Sequence, residues 1–283
     1  MKKALCVSAA FFCVLTLPCL LSSPASCKAA DSTSAVSGAH PALWVQAVRI
    51  FELNKNLVPG RVSQKVQELD KNGGVKSETD VDVLFSLDGT GEIKTEIVKA
   101  SKDGKDITAE ERKKADELAR KQAEKDAAKE QGKKDAKDDS DEHSHTFSLS
   151  DTPFNPERQN DVRVTETACR DTIDGASCAC YEFSYPEKRP ADAKGKPAII
   201  KGRAWIEESS GRAVKLEYTR DPLPKHVKNM LTTLRYRGEG EGSWVLSRMA
   251  FDARGAFLFF GKSIRGDFRF SDYWKYEEPA AQK

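Results

Sequence analysis

From residue 62 onward the chain is a series of short runs in which apolar and polar residues alternate, each run closed by a turn dipeptide. A period of two sends successive side chains to opposite faces of a strand, so such runs pack as half-buried β-structure. Val81, Val83, Phe85 and Leu87 alternate with mostly polar neighbours, as do Tyr181, Phe183 and Tyr185, and Val214, Leu216 and Tyr218. Asn72-Gly73, Asp88-Gly89, Asp103-Gly104, Asp174-Gly175 and Ser210-Gly211 supply turns between runs, and the glycine-glutamate tract 238–242 supplies another. The expected strands are 62–69, 75–87, 93–99, 146–149, 162–169, 178–185, 198–207, 213–218, 230–237, 244–252, 257–264 and 268–273. So many antiparallel strands in one sheet are expected to curl.

Two helical patterns interrupt the strands. His40-Pro41 opens the first, where Leu43, Ala47, Ile50 and Phe51 recur at helical spacing with Trp44 and Val48 beside them, until about Asn56. That apolar stripe needs a sheet to cover it. The second runs from Thr108 to about Lys137 and opens on a capping box, Thr108-Ala109-Glu110-Glu111. Charge pairs such as Glu110 with Lys114 and Glu117 with Lys121 support it, but Leu118 and scattered alanines give it almost nothing to bury. It reads as a solvated, charged insertion. A shorter amphipathic turn is expected at 225–229, after Pro222-Leu223-Pro224.

Lys2 and Lys3, the apolar run 4–21 and the small residues 22–26 have the three-part layout of a secretory signal peptide. A single spanning helix is the rival reading, since about 18 apolar residues is near the minimum for a bilayer. Cys27 follows Pro24-Ala25-Ser26 and is a candidate lipidation site, with ordinary cleavage near Ala29 as the alternative. The expected organisation is a signal peptide at 1–30, a linker at 31–39, a single β-rich domain at 40–277 carrying the charged helical insertion 105–145, and a tail at 278–283. The expected location is the periplasm, with an outer-membrane tether if Cys27 is acylated and no other membrane contact.

Seven cysteines are present, and the export segment takes all but Cys169, Cys178 and Cys180. With Asp174-Gly175 as a two-residue hairpin turn, outward pairing sets Ile173 opposite Ala176, Asp171 opposite Cys178 and Cys169 opposite Cys180. A surface disulfide between Cys169 and Cys180 is therefore expected, leaving Cys178 free. A C-x-C pair at Cys178 and Cys180 is the competing metal or redox reading, and without a second ligand cluster it is a weak one.

No catalytic constellation is legible, and the chain is expected not to be an enzyme. His40, His143, His145 and His226 fall in no nucleophile or zincin pattern, and no G-x-S-x-G occurs. A secreted hydrolase with an unrecognised carboxylate pair stays a minor alternative. His143-x-His145 in a charged linker is read as solvated, and 70–74 as a hairpin turn because Val81 stands where a calcium loop needs glutamate. No metal and no cofactor are expected. A net charge of +2 without a basic aromatic stripe disfavours nucleic acid.

Lys201-Gly202-Arg203-Ala204-Trp205-Ile206, Lys215-Leu216-Glu217-Tyr218, Pro222-Leu223-Pro224 and Phe270-Ser271-Asp272-Tyr273-Trp274 are similar to envelope proteins of the lipoprotein-sorting (Lol) type. With the export signal and the single long amphipathic helix, the chain resembles their half-barrel carriers. That resemblance implies an α+β fold, mostly antiparallel, in which a curved half-barrel sheet of about eleven strands wraps an N-terminal helix. It also implies that an acyl chain or lipidated client is bound without covalent chemistry. The apolar lining would be drawn from Val83, Phe85, Leu216, Tyr218, Phe257 and Phe259. The run Phe257-Leu258-Phe259-Phe260, bulky on both faces if it is a strand, needs cover on both or a greasy partner. The alternative is a periplasmic structural or protein-interaction module with a packed, ligand-free core, meeting an envelope protein.

Overall fold

The computed structural model describes residues 40–87, 93–130, 152–190, 197–224, 226–239, 242–257 and 260–276. Helix α1 spans Ala42–Asn54 and α2 spans Thr108–Glu130. The strands are β1 Leu57–Val58, β2 Arg61–Leu69, β3 Val75–Leu87, β4 Ile93–Lys102, β5 Lys105–Asp106, β6 Arg163–Ile173, β7 Ala176–Pro190, β8 Pro197–Glu207, β9 Ala213–Asp221, β10 Val227–Gly238, β11 Trp244–Phe257, β12 Phe260–Ser271 and β13 Trp274–Lys275. One compact unit joins 35–112 to 152–283 and contains the sheet; the other comprises 1–34 and 113–151.

Eleven strands form one antiparallel sheet in the order β5-β4-β3-β2-β12-β11-β10-β9-β8-β7-β6, open at both ends, while β1 pairs with β13 in a small second sheet. This is the mostly antiparallel α+β half-barrel expected. The crossover from β2 to β12 closes the sheet's middle with the two ends of the domain, so chain order and sheet order agree everywhere else.

Register sorts the residues into two faces. Directly paired across nine strands on the inner face are Tyr181, Ala204, Leu216, Leu234, Met249, Phe268, Gln64, Val81 and Ala100. The next inner row alternates large and small: Phe183, Gly202, Tyr218, Thr232, Phe251, Gly266 and Val66. A Cβ on Gly202 would collide with Phe183 and Tyr218, and one on Gly266 with the Phe251 ring. Glycine is what lets neighbouring aromatics lie across those positions. The outer row is polar, running Glu182, Arg203, Glu217, Thr233, Ala250, Asp267, Lys65, Asp80 and Ser101, with opposite charges facing one another at several steps.

At its β7 end the inner face is covered by the chain's own residues, while Val66, Val81, Tyr218 and Phe251 on the same face are half-buried. Trp44 of α1 is fully buried, its ring 4.7 Å from Phe154 and about 6 Å from Tyr181 and Phe183. Residues 152–162 lie beneath it, including a short 3₁₀ turn at Pro156–Arg158 capped by the Asn155 side chain. Gln159 ties the layer together: Nε2 donates to the carbonyls of Pro153 and Asn155, and Oε1 accepts from Trp44 Nε1. His40 Nε2 lies 3.2 Å from the Gln159 carbonyl. These bonds satisfy a polar segment that would otherwise be costly to bury.

Several expectations are corrected. Phe257 is the last residue of β11 and pairs with Phe260, the first of β12, so the strand expected over 257–264 is divided between two strands, and 260–271 form one where two were expected; Leu258 and Phe259 lie outside the described residues. The amphipathic turn expected at 225–229 is absent, because β10 already begins at Val227 and pairs with Gly255. Thr108 does not act as a free cap for α2: its hydroxyl accepts from the Ala100 amide and donates to Asp106, tying the helix start to β4. The strand expected at 146–149 lies outside the described residues, as do the export segment with Cys27 and the pair His143 and His145.

The β6-β7 end folds over the outer face. Arg235 on β10 reaches Asp174 in the β6-β7 turn at 3.2 Å. Three strand spacings separate β10 from β7, roughly 14 Å in a flat sheet. That exceeds an arginine's reach, so the sheet bends here. Ile173, Ala176 and Trp244 pack on Cys178, Cys180, Trp205 and Val214, forming a second apolar cluster on the otherwise polar face.

Candidate functional site

The six residues proposed to line an acyl-chain cavity divide into two sets. Val83, Phe85 and Leu216 are 6 %, 5 % and 0 % exposed, and Tyr218 is partly buried. The first three are shut off from solvent, so they border no open hollow. Phe257 ends β11, and Phe259 lies outside the described residues. The fold brings Leu216 and Tyr218 onto one inner face with Val83 and Phe85, as alternation requires; it packs Val83, Phe85 and Leu216, while Tyr218 borders the larger of the two hollows described next.

Two hollows stand out among the described residues, and charged side chains border both. One of about 330 Å³ is bordered by Ser63, Lys65, Asp80, Asp82, Asp267 and Arg269 on the outer side of β2, β3 and β12. Its charges are largely satisfied: Lys65 pairs with Glu78 at 2.6 Å and Asp80 at 3.2 Å, and Arg248 forks onto both carboxylate oxygens of Asp267 at 2.9 and 2.6 Å. The other, about 700 Å³, lies on the outer side of β6 to β10 between Arg163, Glu182, Lys201, Arg203, Glu217 and the exposed Leu231. Arg203 pairs with Glu182 at 3.2 Å and Lys201 with Asp221 at 2.6 Å. The larger hollow therefore presents both signs of charge around one exposed leucine.

The cysteine hairpin departs from its expected geometry in one place. Ile173 does pair with Ala176 and Asp171 with Cys178. Beyond Arg170, which pairs with Ala179, the next pair is Glu166 with Tyr181, so Thr167, Ala168 and Cys169 together face Cys180. This bulge takes Cys169 out of direct register. Arg170 holds it, donating to the carbonyls of Thr167 and Cys169 at 3.0 and 2.9 Å. The expected surface disulfide is not present: Cys169 and Cys180 are thiols, and Cys180 is 2 % exposed beneath Trp205, not solvent-facing.

Both thiols converge on Asp171. Cys169 Sγ lies 3.6 Å and Cys180 Sγ 3.7 Å from Asp171 Oδ2, which also accepts from Trp205 Nε1 at 2.7 Å. The indole N–H is the main reason the Asp171 carboxyl sits below the ordinary carboxylate range. Burial, then Cys169 and Asp171 beside it, push the Cys180 thiol up to about 12. Cys178 is buried separately, and its thiol lies 3.5 Å from the Ala176 carbonyl. Asp171 was placed in register by the sequence, but the convergence depends on the bulge, which no residue spacing announced.

No protein-family model matches the chain, and no curated protein matches it. Among solved structures, a DUF1329 family protein from Desulfovibrio piger is 12 % identical, covering 86 % of this chain and 94 % of its own, with a TM-score of 0.31. The Pseudomonas aeruginosa MucA/MucB complex is 7 % identical over 83 % of this chain and 99 % of that one, with a TM-score of 0.23. MucB in complex with MucA(peri) gives 7 % identity over 83 % and 98 %, with a TM-score of 0.22. At these TM-scores the likenesses assign no site residue and no activity.

Proposed function

We propose that this chain is a non-catalytic binding module of the bacterial cell envelope that meets a protein partner through its outer face, its inner face serving as its own core. The observation that carries this reading is the burial of Val83, Phe85 and Leu216, with Trp44 and Phe154 stacked against the same inner face. Apolar surface already removed from water by the chain itself has little further free energy to gain from a ligand. The larger outer hollow offers what a partner segment needs, charges of both signs around a partly exposed apolar centre at Leu231.

Binding of an acyl chain or lipidated client on the inner face would require α1 and residues 152–162 to leave Tyr181 and Phe183. The two readings separate in one preparation. The chain is expressed with its own export signal, purified from the envelope and measured by native mass spectrometry before and after organic extraction. Identical masses are expected. Reproducible extractable lipid would overturn the reading and favour the acyl-chain alternative. A photo-crosslinking residue at Leu231 is expected to give one recurrent protein adduct in cells, lost on Arg203→Glu; crosslinks no different from those at exposed Val75 would reject the outer hollow as the interface.

A further inference from the structure

The Cys169, Asp171 and Cys180 cluster lies on the same outer face as the proposed partner surface, next along β7 to Glu182, but none of its residues borders that hollow and the inference does not depend on it. Its two sulfurs and one carboxylate oxygen all lie within 4.8 Å of one another. Zinc bonds of about 2.3 Å to sulfur and 2.0 Å to oxygen, at tetrahedral angles, give a sulfur–oxygen edge of about 3.5 Å. The two observed edges are 3.6 and 3.7 Å. Two of the three edges that a tetrahedral ion would impose on these ligands are thus already near their required length, and the sulfur–sulfur edge lies within 4.8 Å.

The surroundings also suit a cation. Trp205 Nε1 donates to Asp171 Oδ2 and fixes the carboxylate, the kind of outer contact that orients metal ligands. Cys178, Trp205 and Val214 pack around Cys180 and keep water from one side, while exposed Cys169 leaves the other side open. Lys215 Nζ lies over the Trp205 ring at 4.4 Å, and Arg170 grips the bulge that carries Cys169.

We propose that Cys169, Asp171 and Cys180 bind one thiophilic divalent cation of the Zn²⁺ class, with water in the fourth position. Binding forms two metal–sulfur bonds and one metal–oxygen bond; each thiol gives its proton to solvent, and no electrons are transferred. The bulge at 167–169 is then the device that lets an out-of-register cysteine face its partner ligand.

The test is titration of the reduced full chain with Co²⁺ under nitrogen. A thiolate-to-cobalt charge-transfer band with visible tetrahedral bands is expected, saturating at one ion per chain and erased by Zn²⁺. Cys169→Ser and Asp171→Asn should each weaken binding by roughly tenfold or more. Cys178→Ala removes no ligand and should still give the saturable one-to-one band. Cys169 is exposed, so its variant is expected to keep the parent's circular dichroism and isolate loss of the ligand from loss of the fold. No saturable band, or equal affinity in Cys169→Ser, would overturn the site. So would unreduced protein from the envelope that carries a Cys169–Cys180 linked peptide and lacks two hydrogen masses.

Discussion

The indole Nε1 of Trp44 donates to Oε1 of Gln159 across 3.0 Å, joining the N-terminal helix to the segment that precedes β6. The bond is buried, and the Gln159 amide nitrogen is committed to two carbonyls on the same segment. One side chain therefore satisfies three buried groups. Gln159→Met keeps the volume and takes this partner from the Trp44 indole N–H and the Pro153 carbonyl, while the Asn155 carbonyl keeps the Arg158 amide at 3.0 Å, so a loss of about 1–3 kcal/mol per unmet group is the expected scale. Urea unfolding checks it: a lower midpoint at unchanged slope is expected, and an unchanged midpoint would show that the layer is held by packing alone.

Trp44 separates packing from hydrogen bonding. Trp44→Ala empties the space between Phe154, Tyr181 and Phe183 and should cost about 3–5 kcal/mol. Trp44→Phe keeps most of the contact and loses the donor, so its cost should be the smaller. Equal costs for the two variants would mean that the hydrogen bond dominates.

Leu216 distinguishes a core from a cavity wall. With no exposed surface, it should behave as an interior residue, and Leu216→Ala is expected to destabilise by about 2–5 kcal/mol. Leu216→Asp is expected not to fold, seen as loss of the cooperative urea transition. A well-folded Leu216→Asp protein would restore the hollow interior.

Two glycines are required for different reasons. At Gly266 a methyl group meets the Phe251 ring, so Gly266→Ala should cost about 1–3 kcal/mol through overpacking. At Gly73, φ is +86° and nothing lies within 4 Å, so Gly73→Ala should cost only the left-handed backbone penalty, about 1 kcal/mol. Thermal midpoints of the two variants, compared directly, check the order.

Asp103 gives a pH dependence with a defined sign. Its carboxyl accepts from the Glu78 amide at 2.8 Å and the Ser77 hydroxyl at 3.1 Å, and these bonds hold it below the ordinary carboxylate range. A carboxyl whose folded value is depressed contributes stability above its unfolded value, about pH 4, and loses it as pH falls through the folded value. The midpoint gap between the parent and Asp103→Asn should therefore be full at neutral pH and narrow below about pH 4. A gap that stayed constant through acid would remove the assignment.

Local chemistry fixed most of the strands and both helices, but not the short β1, β5 and β13 or the division between β11 and β12. Alternation placed Tyr181, Phe183, Leu216 and Val83 on one face, and Asp70 closes the β2-β3 hairpin as a turn, its Oδ1 accepting from Asn72 and Gly74 at 2.8 Å each. These are properties of a few consecutive residues, and a period of two is visible in any window of that length. What covers the inner face is a long-range matter: Trp44 and Gln159 meet across 115 positions, and no local pattern encodes that contact. The bulge that faces Cys169 toward Cys180 is likewise a tertiary outcome. It arises where Arg170 grips the carbonyls of its own strand while the hairpin bends over Trp205 and Trp244. Strand identity follows from backbone sterics and side-chain period; cavity or core, and thiol pair or disulfide, follow from what the rest of the chain brings alongside.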